Sequence, residues 1–267
     1  MRSLVSLAGL YLIPHGDEII DLPDESSRVM ADKIMQVCST DVSDSVAIIS
    51  PHSLSLSKNV SVIMSSYLKV SYRLKTGVLR RTYESDRALS ESILRLDPGF
   101  TEAASLITSS GPNSIFPMDF GTAIPLHFFG KRKISMMGQP RVQRRDSLVH
   151  FGRMLFRAVQ GYDQKVSVII SADQAHTHSS SGPYGYSPDA AYYDSLITES
   201  VKNSNLSPLL ELSEETITRA KPDSYWNMLI LHGFLSESGI RTKFDYYYVA
   251  GYFGMLLGHG ELPRKSQ

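Results

Sequence analysis

The 267-residue chain balances 27 Lys plus Arg against 27 Asp plus Glu, so its formal charge is zero and polyanion binding driven by net charge is not expected. With 42% hydrophobic and 20% charged residues, disorder, collagen and coiled coil are poor fits, while the apolar content suffices for a large core. The single cysteine, Cys38, excludes an intrachain disulfide and a multi-cysteine metal cluster, which makes a reducing cytoplasm the expected compartment.

In chain order, residues 4–13 form a continuous apolar run of the kind found in a strand buried on both faces. The run follows Arg2 as a secretory core would, yet it passes into Pro14-His15-Gly16-Asp17 with no small-residue cleavage pattern. Residues 25–37 carry Val29, Ile34 and Val37 at loose helical spacing, and residues 46–50 (VAIIS) repeat the buried-strand character. Residues 60–74 read as an antiparallel addition and residues 84–96 as a helix. The basic stretch from Lys131 to Arg145, Arg141 and Arg144 included, reads as a solvated loop and helix start. A helix over 147–160 and a third buried strand over 166–171 (VSVIIS) follow. Helices over 188–202 and 222–238 open with Pro start signals. Residues 243–249 suit an antiparallel strand, and the apolar run 246–257 is too short to span a bilayer, so no membrane segment is expected. The glycines of 251–260 lack the strand-turn-helix setting of a phosphate cradle. No linker or charge block divides the chain, and residues 1–267 read as one catalytic domain. Strands alternating with helices point to an α/β sandwich.

Two of the buried strands end alike, in Ile13-Pro14-His15 and Ser50-Pro51-His52, and the third ends in Ser171-Ala172-Asp173 with His176 close behind. Ligands of α/β sheets gather at the carboxyl ends of parallel strands, so parallel pairing would bring these side chains to one edge. A lone histidine after a strand is often a loop residue bonded to backbone; the recurrence of strand-Pro-His favours a ligand pair. Two neutral imidazoles and one carboxylate hold a first-row metal with coordination positions left open, the arrangement of a redox iron or a hydrolytic metal. The His176-x-His178 spacing is weak by itself, but Asp173 can fix the tautomer of an imidazole.

The segment Ser171-Ala172-Asp173-Gln174-Ala175-His176, followed by Gly182-Pro183-Tyr184-Gly185-Tyr186-Ser187-Pro188-Asp189 and Tyr193-Asp194, resembles the signature region of class III extradiol ring-cleavage dioxygenases and the related Memo-type proteins. The likeness runs from the first strand to Ser238. It implies an αβα sandwich around a mixed central sheet and a non-haem ferrous ion held by His15, His52 and a carboxylate. Asp223, in Pro222-Asp223-Ser224 before the run ending Leu231-His232-Gly233, matches the position where the dioxygenases have Glu and Memo-type proteins have Cys. Its other reading is a helix-terminal residue. One departure affects the chemistry. The family motif Asp-His-Gly-Thr-x-x-Pro-Leu is here Asp119-Phe120-Gly121-Thr122-Ala123-Ile124-Pro125-Leu126, and Phe120 cannot transfer a proton.

The resemblance implies O2 insertion into a catechol-type aromatic diol, with cleavage next to the hydroxylated carbons. His176 would be the acid/base group and Asp173 its orienting partner, a backbone-capping role for Asp173 being the alternative. His127, His178 and Tyr184 are candidates to meet the substrate, and zinc or manganese are the alternative metals to Fe(II). Two other readings stand beside it: a Memo-like metal-binding protein without ring cleavage, favoured by Phe120 and the non-Glu third ligand, and a zinc-dependent hydrolase using a metal-bound hydroxide. A small aromatic diol and O2 are the expected partners, with neither nucleic acid nor membrane. Homo-oligomers are common among enzymes of this size, but no isolated apolar stripe demands one.

Overall fold

The structure, a computed structural model, describes residues 6–106, 114–140 and 144–262. Its first strand, β1 (Leu7–Ile13), passes through a one-turn helix α1 (Glu18–Asp21) into α2 (Glu25–Cys38) and returns as β2 (Ser45–Ser50). Strands β3 (Val60–Ile63), β4 (Tyr67–Arg73) and β5 (Val78–Glu84) precede α3 (Arg87–Leu96). Then come β6 (Thr101–Ala104), β7 (Ile115–Pro117), α4 (Phe120–Leu126), β8 (Lys133–Gly138), α5 (Arg145–Gln160) and β9 (Val166–Ser171). The last part holds α6 (Pro188–Lys202), α7 (Glu214–Ala220), α8 (Tyr225–Ser238) and the hairpin β10 (Arg241–Ala250) and β11 (Phe253–Glu261).

Eight strands form a mixed sheet in the order β10-β11-β1-β9-β2-β8-β3-β6, and β5-β4-β7 form a separate small sheet. At the centre, β1, β9, β2 and β8 are parallel, whereas β11 joins β1 and β3 joins β8 antiparallel. Alternate residues of the central strands feed two cores. Leu10, Leu12, Ala47, Ile49, Val168 and Ile170 pack with α5, α6 and α8. Tyr11, Ile13, Val46, Ile48 and Ile169 pack on the face covered by α2 and α4. Both faces are dry, which is why these strands read as unbroken apolar runs, and each fully buried aliphatic contributes about 1.5–3 kcal/mol. The result is the expected αβα sandwich.

Local chemistry sets several boundaries. Asp24 and Ser27 cap α2 reciprocally, and Asp86 accepts the Leu89 N–H so that α3 starts at Arg87 rather than at residue 84. The single strand read over 60–74 is two, a fully buried β3 in the large sheet and a half-exposed β4 paired with β5. The reading of 131–145 as a solvated loop needs the larger correction: between its basic ends, Ile134, Met136 and Met137 build the interior strand β8, buried to 1% exposure or less. Leu4 and Val5 of the first expected strand, and Arg141, lie outside the described residues. Among the described residues, no helix is long and apolar enough to cross a membrane.

Candidate metal centre

Because β9 lies between β1 and β2 and all three run in parallel, the residues after their carboxyl ends meet over one edge of the sheet. His15 Nε2 and His52 Nε2 stand 3.1 Å apart. Asp223 Oδ2 lies 3.2 Å from the first and 2.9 Å from the second. Asp223 arrives from the turn between α7 and α8. It does not cap α8: Ser224 occupies the N-cap and gives its hydroxyl to Asp223 Oδ1 at 2.5 Å. The Asp223 carbonyl accepts Gln139 Nε2 at 2.7 Å, which ties the turn to the end of β8.

Hydrogen bonds set which nitrogen of His15 faces the cluster. Ser171 donates its hydroxyl to the Gly121 carbonyl and therefore accepts from His15 Nδ1–H, 2.9 Å away. The lone-pair nitrogen of the neutral ring is then Nε2, turned toward His52 and Asp223. Burial opposes a charge on His15, but the Asp173 and Asp223 carboxylates outweigh it and lift the imidazolium to about 9. Against the upward push of burial, His15 and the hydrogen bonds from both histidines hold the Asp223 carboxyl well below its usual range. Burial raises Asp173, with His15 partly offsetting it.

The three donors suit a hard-to-borderline divalent cation. For metal–ligand bonds of about 2.1 Å, neighbouring ligands lie about 3.0 Å apart at a right angle and about 3.4 Å apart in a tetrahedron. The observed 2.9 and 3.1 Å are nearer the first value and 3.2 Å is midway, a spacing that leans toward three ligands on one face of an octahedron with the opposite face open. Two imidazole nitrogens in contact cannot both carry protons without repulsion, and a bound cation would take the place of the proton they share with Asp223.

The donors form the floor of a cavity of about 290 Å³. His176 lines its wall, with Nδ1 2.8 Å from the Gln174 carbonyl. A carbonyl only accepts, so Nδ1 carries the proton and Nε2 is left as a base. The orienting group of His176 is this backbone carbonyl; Asp173, the partner expected from sequence, instead accepts the His15 backbone N–H at 2.9 Å. Phe253 stacks on His176 at 5.4 Å and 16°. Across the cavity Phe120 lies 4.2 Å from the His52 ring and stacks on Tyr72 at 5.5 Å. Asp119 caps α4 and accepts the Ser50 hydroxyl, while a Cβ on Gly121 would come within 2.9 Å of His52 Cδ2, so only glycine lets α4 approach this closely.

Of the residues expected to meet substrate, Tyr184 lines the cavity. His127 and His178 do not. His127 is exposed at the end of α4 beside Phe128. His178 is paired with Asp194 at 2.7 Å. Sequence reasoning missed Asn227. Fully buried in the first turn of α8, it donates to the Ser171 and Ile49 carbonyls at 2.8 and 3.3 Å and joins the helix after Asp223 to the ends of β9 and β2. A polar residue inside an otherwise apolar helix was the available signal.

Residues 103–258 match the family described as the catalytic LigB subunit of aromatic ring-opening dioxygenase. The matched stretch holds Asp173, His176 and Asp223 and begins after His15 and His52. Protein CA_C1420 of Clostridium acetobutylicum is 22% identical over 98% of this chain, which spans 58% of that protein's length. The crystal structure of the uncharacterized protein JW3007 from Escherichia coli K12 superposes with a TM-score of 0.67 over 94% of this chain and 99% of that one, at 13% identity. That likeness concerns the fold.

Proposed function

This chain belongs to the family of the catalytic LigB subunit of aromatic ring-opening dioxygenases, and from that membership we propose that it is an Fe(II)-dependent extradiol dioxygenase acting on a small catechol-type diol. His15, His52 and Asp223 would hold the ion. When bound there, iron supplies neighbouring coordination positions for the diol and for dioxygen, and the electron transfer between them. The residues of the chain supply the rest. His176 Nε2, held by the Gln174 carbonyl, takes a proton from the diol and returns it as the ring opens. Phe120, Tyr72, Tyr252 and Phe253 wall the cavity, hold the flat ring between their faces and keep water from the reacting carbon. Asp173, bonded to the His15 backbone N–H, keeps that histidine against the floor.

The observation that carries this reading is the meeting of three donor atoms within 3.2 Å of one another beneath a base-bearing aromatic wall. Its test is oxygen uptake by anaerobically ferrous-reconstituted protein mixed with a catechol panel. Uptake with a yellow ring-cleavage product supports the reading; bound iron with no uptake removes it. A second reading, a metal-binding protein that does not cleave rings, is favoured by Phe120 and by Asp223 standing where the dioxygenases have Glu. Phe120 fills the place of the family's second proton-transferring histidine and packs against the His52 ring at 4.2 Å, tilted by 33°. Donor spacings within about 0.2 Å of the right-angle value fit a tetrahedral zinc hydrolase less well.

A further inference from the structure

The loop after β1 carries two more acids into the same cavity. Asp17 and Glu18 line it together with Asp173 and Asp223, and no Lys or Arg is among its lining residues. Asp173 and Asp223 are engaged with His15 and His52. Asp17 accepts only the neutral Tyr72 hydroxyl, at 3.2 Å, and among the described residues neither Asp17 nor Glu18 is ion-paired. Burial pushes both carboxyl groups upward, which exposed Lys75, acting on both through space, and His15, acting on Asp17 from within the cavity, partly offset; Lys221 sits 6.0 Å over the outer wall residue Tyr184.

Glu18 is also placed against an aromatic ring. The point where a Cβ of Gly16 would stand is 2.8 Å from Glu18 Oε2 and 2.9 Å from Phe253 Cε2. Glu18 Oε2, Phe253 Cε2 and Met255 Cε thus converge over the Gly16 backbone, and Tyr252 packs on Phe253 at 5.1 Å. Carboxylate beside aromatic surface is the surrounding in which an organic ammonium binds, through ion pairing and through attraction to the ring face. A carboxylate-bearing arm reaching Asp17 and Glu18 would meet two further acids, with no Lys or Arg among the lining residues to receive it. The volume of about 290 Å³, at the lower end of small-molecule sites, suits one ring with a short arm.

We propose that Asp17 and Glu18 select a catechol whose side arm carries an ammonium group and discriminate against one whose arm carries a carboxylate. This rests on the diol-binding reading above. The test is anaerobic calorimetric titration of the full chain with catechol, with a catechol bearing an aminoethyl arm and with one bearing a carboxymethyl arm, alongside oxygen uptake for each. The aminoethyl compound is expected to bind at least about tenfold more tightly than the carboxymethyl compound. Glu18→Gln and Asp17→Asn should each lower that ratio at least about threefold. A ratio near one, a reversed ratio, or a ratio unchanged in both variants overturns the inference, as does failure of all three compounds to bind. Binding with the expected ratio but without oxygen uptake supports the selection and overturns ring cleavage instead.

Discussion

Two histidine–carboxylate clusters flank the segment that follows β9, built from the same residue types to opposite ends. In one, Asp194 receives His178 Nε2 at 2.7 Å, the Tyr247 hydroxyl at 2.6 Å and the Ala175 N–H at 2.9 Å, so every lone pair it turns inward meets a donor. In the other, His15 and His52 turn nitrogens toward each other at 3.1 Å and share one oxygen of Asp223. The first is complete as protein and acts as a clamp on the loop bearing His176. The second brings two imidazole nitrogens and a carboxylate oxygen to one point, where the proposed cation would be held. Residue composition does not distinguish the two; the balance of donors and acceptors does.

The comparison breaks most sharply under paired substitutions. Asp223→Ala is expected to weaken iron binding by more than about 100-fold, read by metal content after dialysis. Asp194→Ala should leave iron binding in place. It strands His178 and Tyr247 at a buried site and costs about 3 kcal/mol, seen as a melting temperature lowered by roughly 6–12 °C, with iron still retained. If both variants lose metal equally, the distinction between clamp and metal centre is wrong.

Acidity sharpens the same contrast. In metal-free protein the His15 pKa is raised to about 9. Its charged form therefore stabilises the fold fully below the unfolded value near 6.5, and the contribution, about 3 kcal/mol, is lost as pH rises from there through 9. Asp223 is lowered, so its contribution is present above about pH 4 and is lost on acidification. Melting curves of chelator-treated protein should fall between pH 6.5 and 9, and iron-loaded protein should not follow them. Parallel curves for the two forms would contradict the assignment of His15. A smaller effect is expected from Asn227→Leu, which removes the ties to the Ser171 and Ile49 carbonyls. Stability should drop by about 1–3 kcal/mol, and calorimetry should show iron bound about tenfold more weakly.

Much of the centre was legible because strand-Pro-His repeats and Asp173-x-x-His176 leave marks in the sequence itself. The apolar runs at β1, β2 and β9 were readable since each is buried on both faces. β8 was not, because lysines and arginines at its ends mask a short buried core of Ile134 to Gly138. The tautomer of His176 depends on a backbone carbonyl, which carries no residue signature, and Asp173 was the natural but different choice. His178 was expected to meet substrate, but the fold turns it to Asp194. Asp17 and Glu18 gave no sign of a shared cavity, since only the turn after β1 folds them toward Tyr72 and Phe253.

The central claim is that one cation is held by two imidazoles from neighbouring strand ends and a carboxylate from the far part of the chain. Anomalous diffraction at the iron edge from crystals of ferrous-loaded protein tests it directly. The account predicts a single strong peak within about 2.0–2.2 Å of His15 Nε2, His52 Nε2 and an Asp223 oxygen. A peak elsewhere, or one touching the histidines while Asp223 points away, would contradict it.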